Sequence, residues 1–195
     1  MKKIINIILL IFLTSSTLSA EEAKLLKIGS VDAKITIKVF SSLTCPHCAN
    51  FHNKIYDDLK KEYIDKKKVK FEHHGFPLDL AALNAEKMLR CSQNNEKKFL
   101  LLSEIYEKQD QWAVGSDINI INESIKKMGL KFGLNNTEID TCFKDEELQD
   151  QILNERIDAQ KNYKISKTPT IYLNEKKYEG KHDFSSLKKS LDKLL

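Results

Sequence analysis

The sequence predicts an α/β fold in which a mixed sheet is interrupted by a block of helices, and three observations carry that prediction. Ile35-Thr36-Ile37-Lys38-Val39-Phe40 alternates and is rich in branched residues, the pattern of a strand with one face buried. A helical pattern from Pro46 and a second strand-like run at Val69 to His74 complete a strand–helix–strand unit. From Asp79 the period stays helical for about eighty residues before strand character returns at Thr170.

In chain order, residues 1–20 have the form of a secretory signal peptide. Lys2 and Lys3 open it, Ile4 to Leu13 is apolar apart from Asn6, and a small-residue stretch ends at Ala20, where cleavage is expected. The apolar run is too short to span a bilayer as an ordinary helix. No cysteine lies near the cleavage region to carry a lipid. Export to the periplasm as a soluble protein is the expectation, with membrane anchoring or release from the cell as alternatives. Hydrophobic residues make up 41% and charged residues 31%, the balance of an ordinary globule. The net charge of +4 falls to about +2 without Lys2 and Lys3, too small a bias to suggest a nucleic-acid partner.

Residues 28–78 form the first part of the sheet domain. After the strand at 35–40, Pro46 suits a first helical turn because it has no amide hydrogen to leave unpaired. Phe51, Ile55, Leu59 and Tyr63 then form an apolar stripe. Residues 79–163 form the helical insert, with helices expected at Leu80 to Cys91, Glu96 to Gln109, Asp117 to Met128 and Asp145 to Tyr163, and a short one capped by Thr137. Residues 164–195 return to the sheet domain: a strand at Thr170 to Leu173, a second near Lys177 and Tyr178, and a last helix capped by Asp183.

The four cysteines divide into a close pair, Cys45 and Cys48, and a distant pair, Cys91 and Cys142. Cys45-Pro46-His47-Cys48 follows a strand directly and opens a helix. The first amide hydrogens of a helix have no carbonyl partners, so negative charge is stabilised there. Cys45 should therefore ionise well below the reference value of about 8.5. Cys48, one turn inside, should be more enclosed and able to attack a mixed disulfide. A helix end supplies at most about 2 kcal/mol, so hydrogen bonds must add to it, and the His47 ring is the expected contributor. The competing readings are a structural Cys45–Cys48 disulfide and zinc held by Cys45, Cys48 and His52. Zinc lacks a second close cysteine pair to complete four ligands, and Ala49 stands where attachment of a c-type haem requires histidine. No metal or cofactor is expected.

With these residues in place, the chain resembles the bacterial DsbA-like family of proteins with a thioredoxin-like fold and an inserted all-helical domain. The resemblance covers roughly residues 28–195. It rests on Ser42-Leu43-Thr44-Cys45-Pro46-His47-Cys48, on Gly75-Phe76-Pro77-Leu78-Asp79, and on Thr168-Pro169-Thr170. It implies that Cys45 is the exposed nucleophile, Cys48 its partner, and Pro169 a cis proline facing the pair, with Pro46 and Thr168 shaping its surroundings. A trans Pro169 at a strand edge is the alternative. Cys91 and Cys142 are expected to clamp the insert as a structural disulfide, two buried free thiols being the alternative. In many relatives a buried acid stands beneath the pair, six positions before the first cysteine, where this chain has Val39. Glu72, on the neighbouring strand, is the candidate replacement. Thr168 before Pro169 also occurs in isomerase-like relatives.

The expected function is protein thiol–disulfide oxidoreduction, donating disulfides to exported cysteine-containing polypeptides by mixed-disulfide exchange, with a membrane quinone-linked redox partner implied by the relatives. The alternatives are a disulfide isomerase or reductase, and a non-enzymatic polypeptide-binding chaperone. A monomer is expected. His73 and His74 read as a solvated strand end, His52 as lying on the outer side of its helix, and Phe76, Leu78, Met88 and Trp112 as core or groove residues.

Overall fold

In the computed structural model, residues 25–92 and 94–195 are described; the expected signal segment at 1–20 lies outside them. Three strands precede the helical block, β1 (Leu26–Ile28), β2 (Ile35–Ser41) and β3 (Val69–Gly75), and two follow it, β4 (Thr170–Leu173) and β5 (Lys176–Lys177). They make one mixed sheet in the order β1-β3-β2-β4-β5, parallel between β2 and β3 and antiparallel elsewhere. The alternation of β2 decides its facing. Ile35, Ile37 and Val39 are almost fully buried on one face, while Lys38 and Phe40 point to the other.

Helix α1 (Pro46–Leu59) makes the crossover between the parallel strands and covers the first face with Phe51, Ile55 and Leu59. It runs into a π-helical turn (Lys60–Ile64), and Lys67, at φ 58°, turns the chain into β3. Six helices lie between β3 and β4: α2 (Leu80–Cys91), α3 (Asn95–Glu107), α4 (Gln109–Trp112), α5 (Ile118–Lys131), α6 (Asn136–Lys144) and α7 (Glu146–Asn162). Helix α8 (Phe184–Asp192) closes the chain against α1. Helix α2 is the hub of the block, touching α3, α5, α6 and α7, and α3 packs on α1 and β1. Most of the block shares the core of the sheet: Met88, Leu102, Ile105 and Ile125 join Ile37, Phe71 and Ile55 in one continuous cluster, and a small cluster of Leu83, Leu148 and Ile152 lies within the block itself. A smaller cluster of Phe40, Phe76, Tyr172, Ala159 and Ile165 fills the opposite face. Among the described residues no helix is long and apolar enough to cross a membrane.

Several expectations change in detail. The three-residue β1 is too short to show a period, and it pairs at the edge with Phe71–His73. The expected helix at 96–109 is broken at Lys108 into α3 and α4. The cap of α6 is Asn135, not Thr137: its side chain accepts from the Glu138 amide, and Glu138 reaches back to the Asn135 amide at 2.7 Å. His73 is not solvated; it is 2% exposed, and His52 is likewise buried on α1, bonded to the Ser103 hydroxyl at 2.9 Å. Trp112 and Met88 lie in the core, whereas Leu78 is exposed.

Candidate active site

Strand β2 ends at Ser41, and Ser42, Leu43 and Thr44 carry the chain in a turn closed by the Cys45 amide donating to the Ser42 carbonyl at 3.1 Å. Cys45 is the N-cap residue of α1 in extended backbone, with Pro46 following at the first helical position. The Cys45 carbonyl accepts from the Cys48 and Ala49 amides at 3.0 and 3.1 Å, which starts the helix. Both cysteines are unbonded thiols and buried, while Pro46 and His47 are exposed. The Thr168–Pro169 peptide is cis, and the Cys45 thiol donates to the Thr168 carbonyl at 3.5 Å. Cys45, Cys48, Thr168 and Pro169 are thus brought together from the two ends of the chain.

The two sulfurs have opposite electrostatic surroundings. A hydrogen bond from the Cys48 thiol is the largest influence on Cys45. With the Thr168 side chain and the amides of Cys48 and His47, it outweighs burial and lowers the Cys45 thiol to about 5. A helix end alone supplies up to about 2 kcal/mol, roughly 30-fold in acidity, so most of the effect comes from these direct donors. Burial pushes the Cys48 thiol up, and the charge on Cys45 adds to that. His47 contributes through its backbone; among the described residues its ring makes no hydrogen bond to either sulfur, so the expected ring contribution gives way to an amide.

The loop that carries Cys45 is fastened by residues with no sequence motif to mark them. The Gln109 side-chain amide donates to the Leu43 carbonyl at 2.7 Å and to the Cys45 carbonyl at 3.2 Å, joining the helical block to the nucleophile's own residue. The Thr44 hydroxyl donates to Asp79 at 2.7 Å, and Asp79 caps α2 through the Ala82 amide. Asp79 was legible as a helix start; its bond to Thr44 was not.

Glu72 does not replace the acid that Val39 lacks. The β2–β3 register pairs Val39 with His73 and Lys38 with Glu72, so Glu72 faces away from the cysteines. Against the upward pull of burial, His74 and Lys70 hold its carboxyl at about 2 on that other face. Cys91 and Cys142 are joined as a disulfide between α2 and α6, their Cα atoms 6.3 Å apart. Among the described residues no group of three or more His, Cys, Asp or Glu side chains could hold a metal ion.

Pro169 borders an open cleft lined also by Lys167, Thr170, Tyr178, Gly180 and His182.

A family model described as Thioredoxin matches residues 21–193. A putative protein-disulfide oxidoreductase of Rickettsia bellii is 27% identical over 168 residues; the match covers 86% of this chain and 63% of that relative, so the chain spans less than two thirds of its length. Disulfide bond formation protein D of Bacillus subtilis is 28% identical over 177 residues, covering 86% of this chain and 76% of the relative. Among solved structures, alpha-DsbA1 of Wolbachia pipientis superposes with a TM-score of 0.79 at 24% identity, covering 87% of this chain and 90% of that one. Oxidised BdbD of Bacillus subtilis superposes with a TM-score of 0.77 at 20% identity, covering 90% and 94%. At these identities the structural likeness establishes the fold.

Proposed function

The chain belongs to the thioredoxin family whose model it matches, and on that premise we propose that it is a protein thiol–disulfide oxidoreductase that donates disulfides to exported polypeptides through Cys45 and Cys48. The observation that carries this reading is the asymmetry of the pair: one thiol lowered to about 5 beside a partner pushed up by burial. Stabilising the Cys45 thiolate stabilises the reduced protein, and it makes Cys45 the better leaving group when a disulfide is handed on. Both effects drive electrons from substrate to enzyme. The relatives named protein-disulfide oxidoreductase and disulfide bond formation protein D support the reaction class.

In the proposed cycle a substrate thiolate attacks Cys45 of the oxidised pair. The sulfur–sulfur bond breaks and its electron pair leaves on Cys48, which takes up a proton. A second substrate thiolate then attacks the substrate sulfur of the mixed disulfide, and Cys45 departs as a thiolate. The substrate loses two electrons and the protein gains them. Thr168 and Pro169 form the wall beside Cys45 where the substrate chain would lie, and Gln109 keeps the loop in position. Return to the oxidised state calls for an external oxidant, for which a membrane quinone-linked protein in the same compartment is the proposed partner. The protein is proposed to act in the periplasm as a monomer.

The test is the equilibrium of the Cys45–Cys48 pair with glutathione, read together with oxidation of a reduced, unfolded polypeptide. An oxidising potential and rapid oxidation of the polypeptide are expected. A strongly reducing potential would reverse the direction of electron flow, and unchanged activity in Cys45→Ser would remove the redox role altogether.

A further inference from the structure

Positive charge is concentrated in one stretch of the chain. Residues 161–182, the return segment that carries Pro169, hold six lysines (Lys161, Lys164, Lys167, Lys176, Lys177 and Lys181) against two glutamates, Glu175 and Glu179. That excess of four equals the formal charge of the whole chain, +4, so the other residues balance one another. Both glutamates are already engaged, Glu175 with Lys38 at 2.8 Å and Glu179 with Lys177 at 3.1 Å. The other five lysines are exposed and, among the described residues, make no ion pair.

Two of the six, Lys167 and Lys177, line the cleft that Pro169 borders. Lys177 is answered there by Glu179, and Lys167 has no such partner. The remaining ionisable group of the cleft is the His182 ring. Burial, and then the charge of Lys167, hold it below its usual value, so it is neutral at pH 7. Lys167 is therefore the uncompensated charge of the cleft. The chain itself fixes its place relative to the reacting sulfur. Lys167 precedes Thr168, whose carbonyl accepts from the Cys45 thiol at 3.5 Å and whose cis peptide leads to Pro169. His182 ties the cleft to the same helix that Cys45 opens, its ring centroid 5.8 Å from that of Phe51 on α1. Asp79, the carboxylate bonded to the Cys45 loop, is engaged by the Thr44 hydroxyl and the Ala82 amide.

We propose that this basic wall selects substrate segments with acidic side chains beside their cysteine, and that Lys167 is the residue that sets the preference. The inference rests on the oxidoreductase reading above and names the substrate class of that same site. A polypeptide whose sulfur reaches Cys45 lies against Thr168 and its neighbours. A residue of extended chain spans about 3.3–3.6 Å, so a carboxylate within two or three residues of that sulfur comes within a Debye length of Lys167, about 10 Å at 0.1 M salt. It meets a cation that has no partner in the protein. A substrate lysine in the same place meets like charge, and repulsion of the wrong partner counts as much as attraction of the right one. An anionic membrane surface is the other class that exposed lysines attract. The polypeptide is favoured because the unanswered lysine in the cleft stands one residue from the carbonyl that holds the Cys45 thiol, where the exchanging chain has to lie.

The test is single-turnover oxidation of a peptide with two cysteines by the full oxidised protein, read by acid quenching, thiol alkylation and mass spectrometry. The peptide passes from dithiol to disulfide as the Cys45–Cys48 pair passes from disulfide to dithiol, so two electrons and two protons move from one to the other. Three peptides differ only in the residues flanking their cysteines, which are Glu, Gln or Lys. Each rate is divided by the rate of the same peptide with hydroxyethyl disulfide, a neutral oxidant, which removes the effect of the flanking charges on the peptide's own thiols. At low ionic strength the Glu peptide should react on the order of 10-fold faster than the Lys peptide. The ratio should shrink toward equality in 1 M salt, where the Debye length is about 3 Å. Lys167→Glu should abolish or invert the preference, and Lys167→Gln should remove part of it. Lys66→Glu makes the same change in net charge beyond the far end of α1 and should leave the ratio as it is. Equal rates for the Glu and Lys peptides at low salt, or equal effects of Lys66→Glu and Lys167→Glu, would overturn the proposal. Equal peptide rates together with binding to phosphatidylglycerol vesicles that is lost in Lys167→Glu would also overturn it, and would assign the basic wall to a membrane surface. Failure of the protein to oxidise even the Gln peptide would instead sink the oxidoreductase reading.

Discussion

If direct donors hold the Cys45 thiolate, the reduced protein must be stabilised by rising pH in a window where few other groups differ. The Cys45 thiol falls from 9.0 to about 5 on folding. Between those values the unfolded chain binds a proton that the folded one does not, so stability rises with pH, by at most about 1.4 kcal/mol per pH unit. The contribution is complete above pH 9 and is lost as pH falls through about 5. Between pH 5.5 and 7.5 the ceiling is about 2.7 kcal/mol; the Cys45 thiol is less deeply enclosed than that of Cys48, and solvent screening reduces the expected change to about 1–2 kcal/mol. The assay is urea unfolding of the reduced protein at the two pH values, set beside Cys45→Ser. His52, lowered to about 3 by burial and then by His73, also gains stability as pH rises toward its ordinary value. That contribution is common to both proteins and cancels in the difference. Cys48, pushed up by burial, acts only above pH 9 and in the opposite sense. Equal pH slopes for the two proteins would refute the argument that folding makes the Cys45 thiolate comfortable.

Three further outcomes follow from particular contacts. Gln109→Leu removes the donor shared by the Leu43 and Cys45 carbonyls; a loss of about 1–3 kcal/mol by urea unfolding and a rise in the pH of Cys45 thiolate formation are expected. Glu86→Gln leaves Arg90 and His73 facing an uncharged amide in a buried site. A loss of about 3–5 kcal/mol is expected from the unfolding midpoint, toward the lower figure because Arg90 keeps Glu155. Replacing both Cys91 and Cys142 with serine opens a link across a sequence separation of 51. Chain entropy puts its stabilisation at about 4 kcal/mol; stability should fall toward that extent while the alkylation rate of Cys45 is unaltered.

How much of the molecule was legible depends on the range of the interaction concerned. Strand β2 and helix α1 could be read because each buries a face whose period is written in consecutive residues, Ile35-Ile37-Val39 and Phe51-Ile55-Leu59. Strands β1 and β5, at three and two residues, hold too few positions to show a period and exist because a neighbouring strand offers them partners. His52 looked like an outward residue because its ring is polar. It is buried because Ser103, fifty-one positions away, supplies its hydrogen bond. Gln109 carries no motif at all; its role comes from the short helix α4 bringing an amide against two loop carbonyls.

The α/β order of elements, the Cys-Pro-His-Cys segment at a helix start, and the separation of that pair from Cys91 and Cys142 are all written locally, since strand alternation, helix periodicity and proline geometry act over a few neighbouring residues. Tertiary structure decided which groups meet those sulfurs. The register of β2 against β3 turned Glu72 away and brought His73 to the inner face, a choice a one-residue shift would have reversed. The chain's return through Pro169 then set the Thr168 carbonyl against Cys45, and the packing of α2 and α3 joined Glu86 to His73 and Tyr106 to Ser41, from positions that nothing local connects.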